Sequence, residues 1–302
     1  MSKLQWLVRK TWYFNKPDES FWNLIWQRNW EAIYGSEVAL NNCKRSLRKH
    51  PLFQIFRRWI PDNGTVLEGG CGLGKWVLLL REEGIRIIGI DFSDWAIEKL
   101  HQTIPDLPVE IGDVRNLSYN DSTFDAYISL GVVEHFPEGP DHILKEAYRI
   151  LKPNGVLFLT VPYMNIIRFL LRPLDILLEK IHAKNASLSF YQYAYSSIEM
   201  KHILRSHGFR ILETYPYNIY FFLTEFRIFR LFFNFFYKVF KGKVMEWGDS
   251  RLDVTVKIVN IDQKHNFSGF KITLEKFLKK MTDNLLIRYL FSHEILFIAK
   301  RN

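Results

Sequence analysis

Residues 65–74 are Thr-Val-Leu-Glu-Gly-Gly-Cys-Gly-Leu-Gly, and Asp91 follows seventeen residues after the last glycine. The pattern predicts a buried strand, a glycine turn, a helix and a second buried strand that ends in the acid. Glycines at 70, 72 and 74 allow a tight turn and a close approach of the backbone to a ligand. An acid at the tip of the second strand can accept hydrogen bonds from both ribose hydroxyls. The stretch therefore predicts a site for an adenosine-containing cofactor.

The glycine spacing separates two cofactor classes. Dinucleotide sites carry G-x-G-x-x-G with a helix amino terminus facing the pyrophosphate. Here the glycines run G-x-G-x-G, and the residue three after Gly74 is Val77. An NAD(P)-dependent oxidoreductase is therefore the less favoured alternative, and the strands that follow decide between the classes.

Three further segments follow in order. Residues 108–114 predict a short strand that ends in Gly112-Asp113, and residues 123–136 predict an apolar strand that runs into Glu134-His135. Residues 142–151 have apolar positions at helical spacing, and Lys152-Pro153-Asn154-Gly155 is expected to end that helix, with glycine free to take a positive φ. Val156–Val161 predicts the next buried strand.

This ordered set, over roughly residues 62–162, closely resembles the class I, Rossmann-like S-adenosylmethionine-dependent methyltransferases of the small-molecule type. The resemblance implies an α/β doubly wound, seven-stranded sheet and S-adenosyl-L-methionine as cofactor. It implies that cofactor-binding residues are Glu68, Gly70, Gly72, Gly74, Asp91, Phe92, Asp113, Val114, Leu130 and Gly131. Asp91 would hold the ribose, Phe92 would pack on adenine, and Asp113 with the Val114 amide would meet the adenine edge.

Two of these acids need an alternative interpretation beside the functional one. The alternative for Asp91 is that it only caps the next helix. Ser93, whose side chain favours the capping position, can fill that role instead and leaves Asp91 for the ribose. Glu68 stands where aspartate is commoner in the family, a change of reach more than of role.

His135 and Glu134 are the candidate catalytic residues, because the family frequently has an acid-His pair after the fourth strand. A histidine titrates near neutrality and can take a proton from an acceptor hydroxyl. The alternative, that the pair only structures the loop or touches the cofactor, stays open. Methyl transfer depends on proximity and orientation more than on a strong base or a metal, and no metal site is predicted.

The predicted organisation has an amino-terminal helical segment at residues 1–61 and a methyltransferase domain at 62–302. Within that domain we expect a cofactor core at 62–162, a substrate-side insertion at 163–194 and a last strand at 293–300. A largely helical, aromatic-rich cap at 216–292 is expected to be inserted between the last strands. Phe190–Tyr195 is expected to be a loop on the substrate side. The tryptophans at 22, 26 and 30 share one helix face, which suits core packing, a lid over the cofactor or an aromatic substrate wall.

Composition bounds the remaining predictions. The 302 residues are 48% hydrophobic and contain two cysteines, Cys43 and Cys71, which suits a reducing, cytoplasmic location rather than a disulfide framework or zinc site. The amino terminus lacks the apolar run of a signal peptide, and no stretch reaches ~18 apolar residues.

Charge is unevenly distributed along the chain. Residues 62–162 carry a net charge of −8, whereas residues 1–61 carry +7 and residues 163–302 carry +10. Basic flanks favour an anionic partner, and the aromatic segment 219–240 is compatible with burial in the cap or a homodimer, with the inner membrane surface, or with an apolar substrate wall. The expected acceptor is a hydroxyl, or another nucleophile, on a small molecule, glycan or lipid-linked compound. Nucleic acid is disfavoured, and a non-catalytic cofactor-binding or membrane-docking protein remains an alternative.

Overall fold

The structure, a computed structural model, describes residues 9–13, 18–170, 189–218 and 285–302, with isolated positions at 173, 176 and 181. Contacts divide the chain into two units. One contains residues 1–164, 171–215 and 295–302, and the other contains residues 165–170 and 216–294. Each unit is described by itself.

The strands of the described residues are β1 (Arg9–Tyr13), β2 (Thr65–Gly69), β3 (Arg86–Asp91), β4 (Val109–Ile111), β5 (Phe124–Leu130), β6 (Leu151–Pro162), β7 (Ser189–Ala194), β8 (Phe209–Tyr217) and β9 (Glu294–Arg301). The helices are α1 (Glu19–Tyr34), α2 (Glu37–Lys49), α3 (Pro51–Trp59), α4 (Lys75–Glu82), α5 (Asp94–Thr103), α6 (Asp141–Ile150), α7 (Ile166–Leu170), α8 (Ser197–Ser206) and α9 (Leu285–Phe291), with a 3₁₀ turn at Val133–His135.

Seven strands form one sheet in the order β4-β3-β2-β5-β6-β9-β8. The pairs β4/β3, β3/β2, β2/β5 and β5/β6 are parallel, so the carboxyl ends of these five strands meet at one edge. Helices connect the strands as in doubly wound proteins, and ligands bind such sheets at that edge. The predicted fold class is confirmed, and the sheet brings the ends of β2, β3, β4 and β5 together.

The core lies between this sheet and the helices that cover it. Val66 and Leu67 of β2 are fully buried, as are Val77 and Leu79 of α4. Phe56 of α3 is also fully buried, and its ring meets the ring of Phe158 edge to face at 5.0 Å. The amino-terminal helices therefore complete the core of the first unit.

Three local predictions were incomplete. The amino-terminal segment contains the predicted helices but also β1, which pairs antiparallel with β7, so Phe190–Ala194 is a strand rather than a loop. The pairing joins residues about 180 positions apart, which local sequence does not encode. After α6 the left-handed position is Asn154, with φ of 63°, not Gly155; asparagine tolerates this conformation well.

In the second unit, α7 and the segment before β9 are joined by buried polar contacts. The Asn165 side-chain amide donates to the Ser292 carbonyl at 2.9 Å, and Arg168 Nη2 lies 2.7 Å from His293 Nδ1. The predicted cap at 216–292 lies, apart from residues 216–218 and 285–292, outside the described residues, as does the aromatic segment 219–240. Within the described ranges, every helix is too short or too polar to cross a bilayer.

Candidate functional site

The glycine turn after β2 has the left-handed backbone that its sequence predicts. Gly70, Gly72 and Gly74 have φ of 74°, 53° and 61°. The amides of Gly70 and Cys71 both donate to the Ile90 carbonyl, at 2.8 and 2.9 Å, which fastens the turn to β3. A Cβ on Gly72 would lie 2.8 Å from the indole ring of Trp26, so this position has room for glycine alone.

Asp91 joins the glycine turn to the loop after β3. Its Oδ2 accepts from the Gly72 amide at 2.7 Å and its Oδ1 accepts from the Ser93 amide at 2.9 Å. The side chain of Ser93 caps α5 by accepting from the Ala96 amide at 3.1 Å, as the sequence predicts. Burial, with Asp91 only 3% exposed, raises the pKa of its carboxyl despite these backbone bonds. Each oxygen keeps further acceptor capacity, which fits the two hydroxyls of a ribose.

Glu68 is the second buried acid at this edge. It is 3% exposed, and within the described residues its Oε2 has no hydrogen-bond partner. Burial and, to a smaller extent, the Asp91 carboxylate raise the pKa of Glu68 to about 8, and the opposing effects of Lys75 and the Val77 amide offset only part of this rise. An acceptor left open in this way fits the ammonium group of an amino-acid moiety, so the residues present fit S-adenosylmethionine.

Asp113 lies after β4, and its carboxylate is held by Arg115. Arg115 Nη2 donates to Oδ2 at 2.7 Å, and the Arg115 amide donates to Oδ1 at 2.8 Å. Burial raises the pKa of Asp113, but the bonds from Arg115 outweigh it and the net shift is downward. Arg115 also lies 3.4 Å from Glu138 and 5.1 Å from the centre of the Phe136 ring. The sequence did not indicate that Arg115 would link the loop after β4 to the loop after the 3₁₀ turn.

The remaining predicted cofactor residues surround the same edge. Phe92, which follows Asp91 in the sequence, is 40% exposed, whereas Val114, which follows Asp113, is buried. Leu130 ends β5, and Gly131 follows it with φ of 71° and donates its amide to Thr160 Oγ1 at 3.0 Å. Their roles toward the cofactor stay predictions.

His135 lies in the 3₁₀ turn after β5, with its side chain 12% exposed. Its Nδ1 lies 3.0 Å from the Tyr191 carbonyl. Because a carbonyl only accepts, Nδ1 carries the proton and Nε2 presents a lone pair. Burial lowers the pKa of His135 to about 4, so the ring is neutral at pH 7. Nε2 is 4.0 Å from Glu134 Oε1, beyond hydrogen-bond distance.

Helix α1 supplies residues that the site prediction left out. Asn23 Oδ1 accepts from the Ser93 hydroxyl at 2.5 Å, and the Tyr34 hydroxyl donates to the Leu73 carbonyl at 2.7 Å. Trp22 meets the His135 ring edge to face at 4.8 Å. The tryptophan spacing indicated one common face of this helix and left core packing, a lid over the cofactor and a substrate wall open. It did not indicate that Trp26 would lie on Gly72.

Comparison with known proteins agrees with this geometry. Residues 67–159 match the family model of the methyltransferase domain. A probable S-adenosylmethionine-dependent methyltransferase of Mycolicibacterium smegmatis is 28% identical over 97 residues, which are 32% of this chain and 37% of that protein. A sterol 24-C-methyltransferase of Eremothecium gossypii is 26% identical over 160 residues, 47% of this chain and 41% of that protein. The matched region thus spans less than half the length of either relative.

A solved structure shows the same fold over most of the chain. A S-adenosylmethionine-dependent methyltransferase from Archaeoglobus fulgidus superposes with a TM-score of 0.50 and 18% identity, covering 91% of this chain and 99% of that one. At this identity the likeness establishes the fold.

Proposed function

We propose that this chain, which carries a class I S-adenosylmethionine-dependent methyltransferase domain at residues 67–159, transfers a methyl group from S-adenosylmethionine to an acceptor nucleophile. The observation that carries the proposal is the Asp91 carboxylate, which ties the Gly72 amide of one strand end to the Ser93 amide of the next. That arrangement supports a role for Asp91 as the ribose acceptor beside the glycine turn.

Three acids at this edge of the sheet divide the binding of the cofactor between them. Asp91 holds the ribose, Glu68 receives the ammonium group of the methionine moiety, and Asp113 with the Val114 amide meets the adenine edge. When bound, S-adenosylmethionine would supply an electrophilic methyl group on a sulfonium sulfur, with the neutral thioether as leaving group. The chain's part is to orient both molecules in line and exclude water.

The acceptor that suits this site best is a hydroxyl. His135 presents an unprotonated Nε2 at pH 7, because Nδ1–H is directed to the Tyr191 carbonyl. The proton released by the hydroxyl would pass to Nε2. A base with so low a pKa takes that proton only as the new bond forms, when the oxygen becomes strongly acidic.

The molecule that bears the hydroxyl is proposed as a small molecule, glycan or lipid-linked compound. Aromatic side chains beside His135, among them Trp22 at 4.8 Å and Tyr191 at 4.9 Å between ring centres, favour an acceptor with apolar surface. The basic flanks of the chain favour an anionic group on the acceptor, or peripheral contact with an anionic membrane from the cytoplasm.

Transfer of a labelled methyl group tests this proposal. The purified chain is incubated with methyl-labelled S-adenosylmethionine and an extract fractionated into polar small molecules, glycans and lipids. We expect one of these three fractions to become labelled, in an alkali-stable form that is typical of a methyl ether. Heat-treated protein should transfer no label. Label that enters protein or nucleic acid instead would contradict the acceptor assignment.

A further inference from the structure

Helix α1 crosses the edge of the sheet where the cofactor residues converge. Near its start Asn23 contacts Ser93 and Asp94, one turn later Trp26 covers Gly72, and at its end Tyr34 bonds to Leu73. The helix is therefore fixed at both ends, to the loop after β3 and to the glycine turn. Its middle turn lies over the part of the site between Gly72 and Asp91.

Trp26 is the residue of α1 that faces this part most directly. Its six-membered ring lies 2.8 Å from the position where a Cβ of Gly72 would stand. The Trp26 ring also stacks on the ring of Trp22, with 5.6 Å between centres and 29° between planes. Trp22 in turn packs on His135. A continuous aromatic row thus runs from the glycine turn to the histidine.

The indole N–H of Trp26 is buried, and within the described residues it has no hydrogen-bond partner. A buried donor without an acceptor is costly, and native proteins rarely leave one unless a ligand or water meets it. Indole Nε1 only donates, so its partner must be an acceptor. Glu68 and Asp91, the other acceptors of the site, are already assigned to the ammonium and the ribose of the cofactor.

We infer that Trp26 is a cofactor-binding residue whose indole N–H donates a hydrogen bond to the carboxylate of the methionine moiety. The inference rests on the proposed function and adds a residue from outside the matched domain. The carboxylate is the only anionic acceptor of the cofactor, and an N–H donor forms its strongest hydrogen bonds with a charged acceptor. Helix α1 is then part of the cofactor site and not merely of the core.

The test compares two ligands that differ in the amino-acid moiety that bears this carboxylate. S-adenosylhomocysteine carries the amino-acid moiety, whereas methylthioadenosine has the same nucleoside and sulfur without it. Trp26→Phe keeps a ring on Gly72 and removes the N–H. Loss of one hydrogen bond to a charged group should weaken S-adenosylhomocysteine about tenfold by calorimetry, and leave methylthioadenosine within about twofold.

Trp59→Phe is the matched control. Its indole N–H is also buried without a partner among the described residues, but it lies at the end of α3 beside Arg58. This variant should bind both ligands as the parent does. Equal binding of S-adenosylhomocysteine by Trp26→Phe and the parent overturns the inference, as does an equal loss of both ligands, which would make Trp26 a packing residue over the nucleoside.

A spectroscopic measurement on the parent keeps the inference testable if Trp26→Phe does not fold. In protein labelled with ¹⁵N at tryptophan, the Trp26 indole resonance, assigned through its contact with Gly72, should move downfield with S-adenosylhomocysteine and stay with methylthioadenosine. A resonance that ignores both ligands overturns the inference. A parent that binds neither ligand contradicts the proposed function itself, so the two failures are distinguishable.

Discussion

Replacement of Glu68 by glutamine tests the electrostatics of the site through stability alone. The carboxyl is buried, and its pKa is raised from 4.5 to about 8 in the folded chain. The folded state therefore keeps a proton that the unfolded chain releases above its ordinary pKa. The contribution of Glu68 to the stability of the parent must therefore fall as pH rises from about 4.5 and level off near pH 8.

The magnitude follows from the same values. Each unit between the two pKa values corresponds to about 1.4 kcal/mol, so the parent loses about 3 kcal/mol through this group between pH 4.5 and pH 7. Glutamine has nearly the same shape and does not titrate. The stability of Glu68→Gln relative to the parent should therefore rise by about 3 kcal/mol over that range.

Urea denaturation of both proteins at pH 5, 6, 7, 8 and 9 measures this difference, because the other groups titrate equally in both. Glu98→Gln, on the exposed face of α5, is the control and should follow the parent at every pH. If the free energies of unfolding of Glu68→Gln and the parent change in parallel with pH, then Glu68 ionises freely in the folded chain. That result would contradict the raised pKa of this carboxyl.

Two further variants address the remaining site residues. Asp91→Ala should abolish measurable S-adenosylhomocysteine binding by calorimetry, and it should lower the free energy of unfolding by about 1–3 kcal/mol because two backbone amides lose their acceptor; unchanged affinity would refute the ribose assignment. His135→Ala should lower the rate of labelled methyl transfer about a hundredfold or more without changing cofactor affinity. The methyl-transfer activity of the parent should be constant from pH 5 upward and should fall as pH approaches about 4, where His135 becomes protonated. Full turnover in His135→Ala would exclude the base role.

The parts of the site that sequence predicts are those encoded locally. The strand, glycine turn and acid of residues 65–91 lie within one βαβ unit, and Ser93 caps α5 as its side chain favours. Parallel strands then bring their carboxyl ends to one edge, so Glu68, Gly72 and Asp91 must meet.

The contacts that sequence did not predict join distant segments. Trp26 contacts Gly72, 46 positions away in the sequence, because α1 packs over the sheet edge. The spacing of residues on a helix face does not predict which segment that face packs against. Arg115 faces Asp113 only two residues away, but its second contact with Glu138 depends on the path of another loop. The pairing of β1 with β7 is likewise set by the tertiary fold.

Calorimetric titration of the purified chain with S-adenosylmethionine, S-adenosylhomocysteine and NADH measures which class of adenosine-containing cofactor it binds. We predict micromolar binding of both sulfur nucleosides and none of NADH, since the glycine turn lacks the spacing of dinucleotide sites. Binding of NADH with no binding of the sulfur nucleosides would contradict the account.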